Sequence, residues 1–265
     1  MKWSIENVED IRMAFVEKFK NNDFVILENG TKTIEIDNAH FIADEDFIFK
    51  EPNYEYIARE LKWYYTCDCN INSMDKPIPK IWEKISGKNG EINSNYGWCI
   101  FSKTNYYQFE YCLNELIRDS SSRRACMIYN RPSMHIDQHI NGAQDFMCTY
   151  AVQCLIRDNV LIYTVLMRSN DAIWGYRNDY GWALNVANLL FEKLNAAGKN
   201  LKSFKIIWNA VSLHIYERDF KYIQEYDTKR RKFCSEEELI KVEEYIGQEK
   251  IESNTNCEQI FYSDI

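Results

Sequence analysis

Val8, Ile11, Phe15 and Phe19 recur at helical spacing and predict an opening helix over residues 6 to 21. Residues 23 to 27 then read as a strand. Asn29-Gly30 is a hairpin signal, and residues 31 to 36 return as a second strand. Ile57 and Leu61, with Glu60 beside them, predict a helix over residues 53 to 65. Trp82 follows in a Pro-flanked segment, and residues 93 to 98 read as a polar, aromatic loop. Phe109, Cys112, Leu113 and Leu116 mark another helix, ahead of a short strand over 125 to 129. A strand over 146 to 156 turns at Asp158-Asn159 into a second over 160 to 167. Asp179 is expected to begin a long helix carrying Trp182, Val186, Leu189, Leu190 and Leu194, with Gly198 as its stop. A strand over 204 to 208 leads to Leu213-His214-Ile215-Tyr216. Ser235 and Glu238 form a capping box for a late helix, and residues 248 to 265 lack periodicity. With no internal repeat and no linker, the 265 residues read as a single α+β domain.

Composition narrows the function classes. The balance of 46% hydrophobic and 27% charged residues is that of a soluble globular protein. No apolar run approaches the roughly 20 residues of a membrane span. The opening residues lack a signal-peptide core, so the expected location is the cytoplasm. A net charge of -8 argues against a nucleic-acid substrate, which needs a basic surface, whereas a mononucleotide needs only a few placed arginines. The nine cysteines are irregularly spaced, and Cys67-Asp68-Cys69 is too tight for an ordinary metal pair. Reduced thiols and no metal site are the expectation.

Cys148 stands at the entry of its strand in Asp145-Phe146-Met147-Cys148-Thr149. By itself it reads first as a buried strand cysteine and only second as a nucleophile, and a nucleophilic thiolate needs nearby positive charge. Arg168 can supply that charge if the Asp158-Asn159 turn makes a hairpin. Its place between an apolar strand and Ser169 suits an anionic ligand, and an arginine can grip phosphate with two hydrogen bonds. Arg123 and Arg124 read either as surface charges or as phosphate ligands. His214 and Tyr216 share one strand face and can either pack or bind a sugar hydroxyl.

Taken in order, Glu60 with Trp63, Tyr96-Gly97, Ser122-Arg123-Arg124, Cys148, Gln153, Arg168-Ser169-Asn170-Asp171, Gly175 and His214-Ile215-Tyr216 form a pattern that resembles the thymidylate synthase superfamily. Lys32-Thr33-Ile34-Glu35-Ile36, residues 90 to 98, and the segments around Cys148 and Arg168 are similar to its branch of phage deoxycytidylate (dCMP) 5-hydroxymethylases. The resemblance covers residues 8 to 225. It implies a three-layer α/β fold with a large mixed sheet, two sheets packing back to back in a homodimer. It implies folate-dependent one-carbon transfer from 5,10-methylenetetrahydrofolate to C5 of dCMP, with no direct nucleic-acid substrate and no membrane.

By the same resemblance, Cys148 is the nucleophile, Glu60 orders water and relays protons, and Asp179 recognises the base. Arg168, Ser169, Asn170, Tyr96, Gln153, His214, Tyr216 and Lys32 bind nucleotide. Arg123 and Arg124 reach the partner's site. Trp82, Asp171 and Gly175 meet the folate. Three departures from the thymidylate synthase pattern stand out: Thr149 where that family has His, Asp179 where it has Asn, and Glu28 at a basic phosphate position. A carboxylate at 179 suits cytosine, whose 4-amino group donates. CMP hydroxymethylation, dCMP methylation, thymidylate synthesis and a silent nucleotide- or RNA-binding homologue remain the alternatives.

Overall fold

Asn7 accepts from Asp10 N while Asp10 Oδ2 accepts from Asn7 N, a reciprocal cap that starts α1 (Val8–Lys20). The structure, a computed structural model, describes residues 6–230. The expected late helix with its Ser235–Glu238 cap, and the segment 248 to 265, lie outside them. The chain divides into two units, one ending at Phe220 and one beginning at Lys221; the described part of the second, residues 221–230, is helical.

The first unit is built on one mixed sheet. β1 (Val25–Ile26) pairs antiparallel with β2 (Lys32–Ile42), as the Asn29-Gly30 signal predicts. β2 runs six residues past its expected end because β7 (Ser203–Tyr216) pairs with it from Thr33↔Tyr216 to Ile42↔Ile207. β7 is one strand, not two: its inward positions stay apolar through Ala210, Leu213 and Ile215, while Asn209 and Ser212 face outward. β4 (Thr149–Arg157) and β5 (Val160–Met167) form the expected hairpin. Asp158 and Asn159, at φ 52° and 60°, are left-handed as a two-residue turn demands. β3 (Cys126–Ile128) flanks β4, β5 lies parallel to β7, and β6 (Asn170–Asp171) pairs with β7 beyond it.

Ile34, Phe41, Val152, Cys154, Tyr163, Val165, Trp208 and Leu213 bury one face of this sheet. α7 (Gly175–Ala196) crosses between β5 and β7 and packs Tyr176 against both Phe41 and Trp208. It begins four residues before the expected Asp179. Asp171 Oδ1 accepts from the amides of Ile173 and Trp174 and turns the chain into the helix early. Gly198, at φ 84°, lies just past the helix, as expected of a stop.

The segment read as a loop over 93 to 98 is half helical. Asn95 accepts from Trp98 N over 2.8 Å and starts α4 (Tyr96–Phe101). This short helix lies so close to α2 (Tyr54–Thr66) that a Cβ on Gly97 would sit 1.8 Å from the Tyr64 carbonyl oxygen. α3 (Lys80–Ile85) carries Trp82, α5 (Gln108–Arg118) matches its prediction, and α6 (Met134–Asn141) precedes the Cys148 segment. Among the described residues no helix is long and apolar enough to cross a membrane.

Candidate active site

The C-terminal end of β5, the start of α7 and the inner face of α2 converge on a cavity of about 1030 Å³. That is at the upper end for small-molecule sites, with room for more than one ligand. It is lined by Cys148, Glu60, Asp179, Arg168, Ser169, Asn170, Tyr96, His214, Tyr216, Trp82, Asp171 and Gly175. A smaller hollow beside Tyr106 and Arg131 contains none of these.

Cys148 sits one residue before β4 rather than within it. Arg168 N donates to the Cys148 carbonyl over 2.9 Å and carries the ladder past the strand end. The Arg168 guanidinium donates to the carbonyls of Met147 and Phe146 over 3.2 and 2.5 Å, and lies 3.8 Å from the Cys148 sulfur. The hairpin therefore delivers the expected Arg–Cys pair. It does not deliver a ready thiolate. Burial, with the Asp179 carboxylate behind it, pushes the thiol up to about 11, outweighing Arg168.

Asp145 fixes the same loop from the other side. Its carboxylate accepts from Asn93 N, Ser94 N and Ser94 Oγ over 2.8, 2.7 and 2.6 Å. That holds the entry to α4, so Tyr96 faces the start of β4. Thr149 Oγ1 donates to the Tyr96 hydroxyl (3.2 Å), which donates to Asp179 Oδ1 (3.3 Å). Asn170 Nδ2 donates to Asp179 Oδ2 over 2.8 Å.

Glu60 and Asp179 are both buried carboxyls raised to about 7. Burial is the main cause in each; for Asp179 the Glu60 charge comes next. Both thus hold and release protons near neutrality. Tyr56, one turn before Glu60 on α2, donates to Glu60 Oε1 over 2.5 Å, and Trp82 Nε1 donates to the Tyr56 hydroxyl over 3.0 Å. Tyr64 stacks on Tyr96 with ring centres 5.2 Å apart. Burial lowers the His214 pKa, so the imidazole is neutral at pH 7, able both to donate and to accept.

Arg123, Arg124, Gln153 and Lys32 do not line this cavity. Arg123 and Arg124 are exposed just before β3. Gln153 Nε2 donates to the Ala125 carbonyl over 3.0 Å, between neighbouring strands. Lys32 lies 3.9 Å from Glu217 and covers the Phe24 ring, and Glu28 is exposed in the β1–β2 turn.

Sequence reasoning missed Tyr56, Tyr64, Trp174, Arg177 and Arg218, all of which line the cavity. The spacing of Tyr56 and Tyr64 four residues either side of Glu60 was a readable signal, since such residues share a helix face. Arg218, reached only by the chain's return along β7, carried none. Asp171 is partly committed: one oxygen holds the turn into α7, and the other lies 3.9 Å from Arg218.

The sequence profile of the thymidylate synthase family matches residues 28–253. The chain is 48% identical over 215 residues to the deoxycytidylate 5-hydroxymethyltransferase of Enterobacteria phage T4, covering 80% of this chain and 87% of that one. The phage T6 protein of the same name gives the same figures. A thymidylate synthase of Fusobacterium nucleatum is 27% identical over 191 residues, 69% of this chain and 62% of that one. Among solved structures, thermostable thymidylate synthase A from Bacillus subtilis superposes with a TM-score of 0.62 at 17% identity, covering 82% and 83% of the two chains. At that identity the likeness concerns the fold.

Proposed function

The chain belongs to the thymidylate synthase family, and from that premise we propose that it is a deoxycytidylate 5-hydroxymethyltransferase. The observation that carries this reading is Asp179, a buried carboxyl raised to about 7 in the cavity that also holds Cys148 and Glu60. An acceptor that can also carry a proton matches the cytosine edge, where N4 donates and N3 must be protonated for attack at C6. The phage relatives named for this activity support it.

The cavity residues also fit a folate. The Trp82 and Trp174 rings and Ile81 give an apolar wall, and Asp171 a carboxylate for a ring with donor groups. 5,10-Methylenetetrahydrofolate, when bound, supplies the one-carbon unit and leaves as tetrahydrofolate.

The residues of the chain do the rest. Neutral Asp179 gives its proton to N3 as the Cys148 thiol releases its own to water in the cavity and its sulfur bonds to C6, which makes C5 nucleophilic. C5 bonds the one-carbon unit and gives its proton to water in the cavity; the bond from that carbon to the departing tetrahydrofolate breaks, leaving an exocyclic methylene. Glu60 accepts a proton from water as the water oxygen bonds to that methylene carbon; the C5–C6 double bond reforms and the C6–sulfur bond breaks. Arg168 pairs with the 5'-phosphate, and His214 and Tyr216 with the sugar. Arg123 and Arg124 complete the phosphate site of a second copy. Their exposure supports this, as does the half-exposed apolar outer face of the sheet, with Ile42, Ile162, Leu166, Ile207 and Val211.

Incubation with dCMP, CMP or dUMP and methylenetetrahydrofolate, read by mass spectrometry, tests the reading. The expected product is 5-hydroxymethyl-dCMP with dCMP the preferred substrate. A 5-methyl product, or preference for CMP or dUMP, overturns it.

A further inference from the structure

The Trp208 indole, on the inward face of β7, donates to Asn170 Oδ1 over 3.2 Å, and Asn170 in turn donates to Asp179 Oδ2. Trp208 is 0% exposed and Asn170 2%. The two ends of an amide side chain are normally assigned only by their neighbours. Here one neighbour settles the assignment, because an indole N–H donates and never accepts. The amide oxygen must face Trp208, so the amide NH2 must face Asp179. Tyr176 packs edge-on against the Trp208 ring and holds it in place. Gly175 leaves the pair its space: a Cβ there would lie 3.1 Å from Asn170 Nδ2 and 3.6 Å from Asp179 Oδ2.

Resting on the reading that Asp179 selects the base, we propose that Trp208 and Asn170 are positioning residues for that selection. They hold Asp179 in one orientation, with Oδ2 gripped by the Asn170 amide at 2.8 Å and Oδ1 held only loosely by Tyr96 at 3.3 Å, so that Oδ1 is the oxygen that meets the cytosine edge and carries its proton. Asn170 thus acts on the nucleotide through Asp179, although its position beside Arg168 suggested direct contact.

The surroundings of Asp179 give the proposal a pH signature. Facing it are Tyr56, Glu60 and Tyr64 of α2, Tyr96 of α4, Cys148 before β4, and Asp171 of β6. Burial and the Glu60 and Asp171 charges favour its neutral form; the Asn170 and Tyr96 donors oppose them. Loss of the Asn170 donor raises the proton affinity of Asp179 further.

Asn170→Leu keeps the volume and removes the donor. Trp208→Phe keeps the ring and frees the amide to turn. Each is assayed for tritium release from C5-labelled dCMP and dUMP from pH 5 to 9, beside Asp179→Asn, with thermal unfolding as the check on folding. In Asn170→Leu the ratio of dCMP to dUMP kcat/KM is expected to fall roughly fivefold or more, as for loss of one buried hydrogen bond. The alkaline limb of the dCMP profile, where Asp179 loses the proton it must donate, is expected to move to higher pH. Trp208→Phe is expected to shift both in the same direction, less far, and decides the matter if Asn170→Leu does not fold. Folded variants with the wild-type ratio and limb, while Asp179→Asn lowers the ratio, overturn the positioning role and leave base selection by Asp179 standing. An unchanged ratio in Asp179→Asn overturns base selection itself, and the positioning role with it.

Discussion

The Tyr56 hydroxyl reaches Glu60 across one helical turn, 2.5 Å from Oε1, and is itself held by the Trp82 indole. A donor aimed at a carboxylate favours its charged form, so Tyr56 restrains the rise that burial imposes on Glu60. Tyr56→Phe removes that restraint. If ionised Glu60 takes the proton of the attacking water, the acidic limb of kcat moves upward by roughly half to one pH unit. Nucleotide binding to the free enzyme changes little. The check is a pH profile of kcat beside dCMP titration of the variant.

Glu60 also makes a stability prediction. Its pKa is about 7 in the folded chain against the ordinary 4.5. Between those values the folded state binds more protons than the unfolded one. Stability from this group is therefore full below about pH 4.5 and is lost as pH rises through 7. Glu60→Gln cannot ionise and escapes that loss. Its melting temperature should match or fall below that of the wild-type chain at pH 4 and exceed it at pH 8, a relative gain on the order of 3 kcal/mol. Calorimetry at the two pH values checks the sign.

Burial holds the free Cys148 thiol protonated at neutral pH. With its thiol near 11, alkylation by iodoacetamide in the free enzyme should be slow at pH 7 and rise about tenfold per pH unit toward 10. Peptide mapping of the alkylated chain measures it. Cys148→Ala should abolish turnover and still bind dCMP.

Much of this was legible in the chain and some was not, for local reasons. Asp158-Asn159 announced the β4–β5 hairpin because left-handed turns select such residues. The early start of α7 was hidden because Gly175 and Asn178 look like loop residues; the cause is an Asp171 side chain holding the preceding turn. α4 was hidden behind Asn93-Ser94-Asn95, whose side chains serve as cap and loop anchor. In the site, the order of Cys148, Arg168 and Asp179 was readable through a resemblance to known proteins. The Trp208–Asn170–Asp179 chain was not, since three separate elements bring those residues together.

Arg123 stands outside the cavity of its own chain, and the resemblance sends it across a two-fold interface. Chains carrying Arg123→Ala and chains carrying Cys148→Ala should each be inactive alone. Mixed and refolded together, they should recover activity in the heterodimer, where one site is intact. Activity assays on a purified, differently tagged heterodimer provide the measurement.

Glu28 tests the phosphate side. It is exposed in the β1–β2 turn and does not line the cavity. Glu28→Lys should therefore lower the dCMP KM by no more than about threefold, the scale of a screened surface charge. Steady-state kinetics at low and physiological salt give the answer.

The central claim is that water completes the one-carbon transfer to cytosine from a site built of Cys148, Glu60 and Asp179. The most direct test is turnover of dCMP with methylenetetrahydrofolate in water labelled with oxygen-18. The product is read by mass spectrometry and the released folate by its absorbance. The account predicts 5-hydroxymethyl-dCMP carrying the heavy oxygen, tetrahydrofolate in equal amount, and neither with Cys148→Ala. A methylated product without the label, formed together with dihydrofolate, would contradict it.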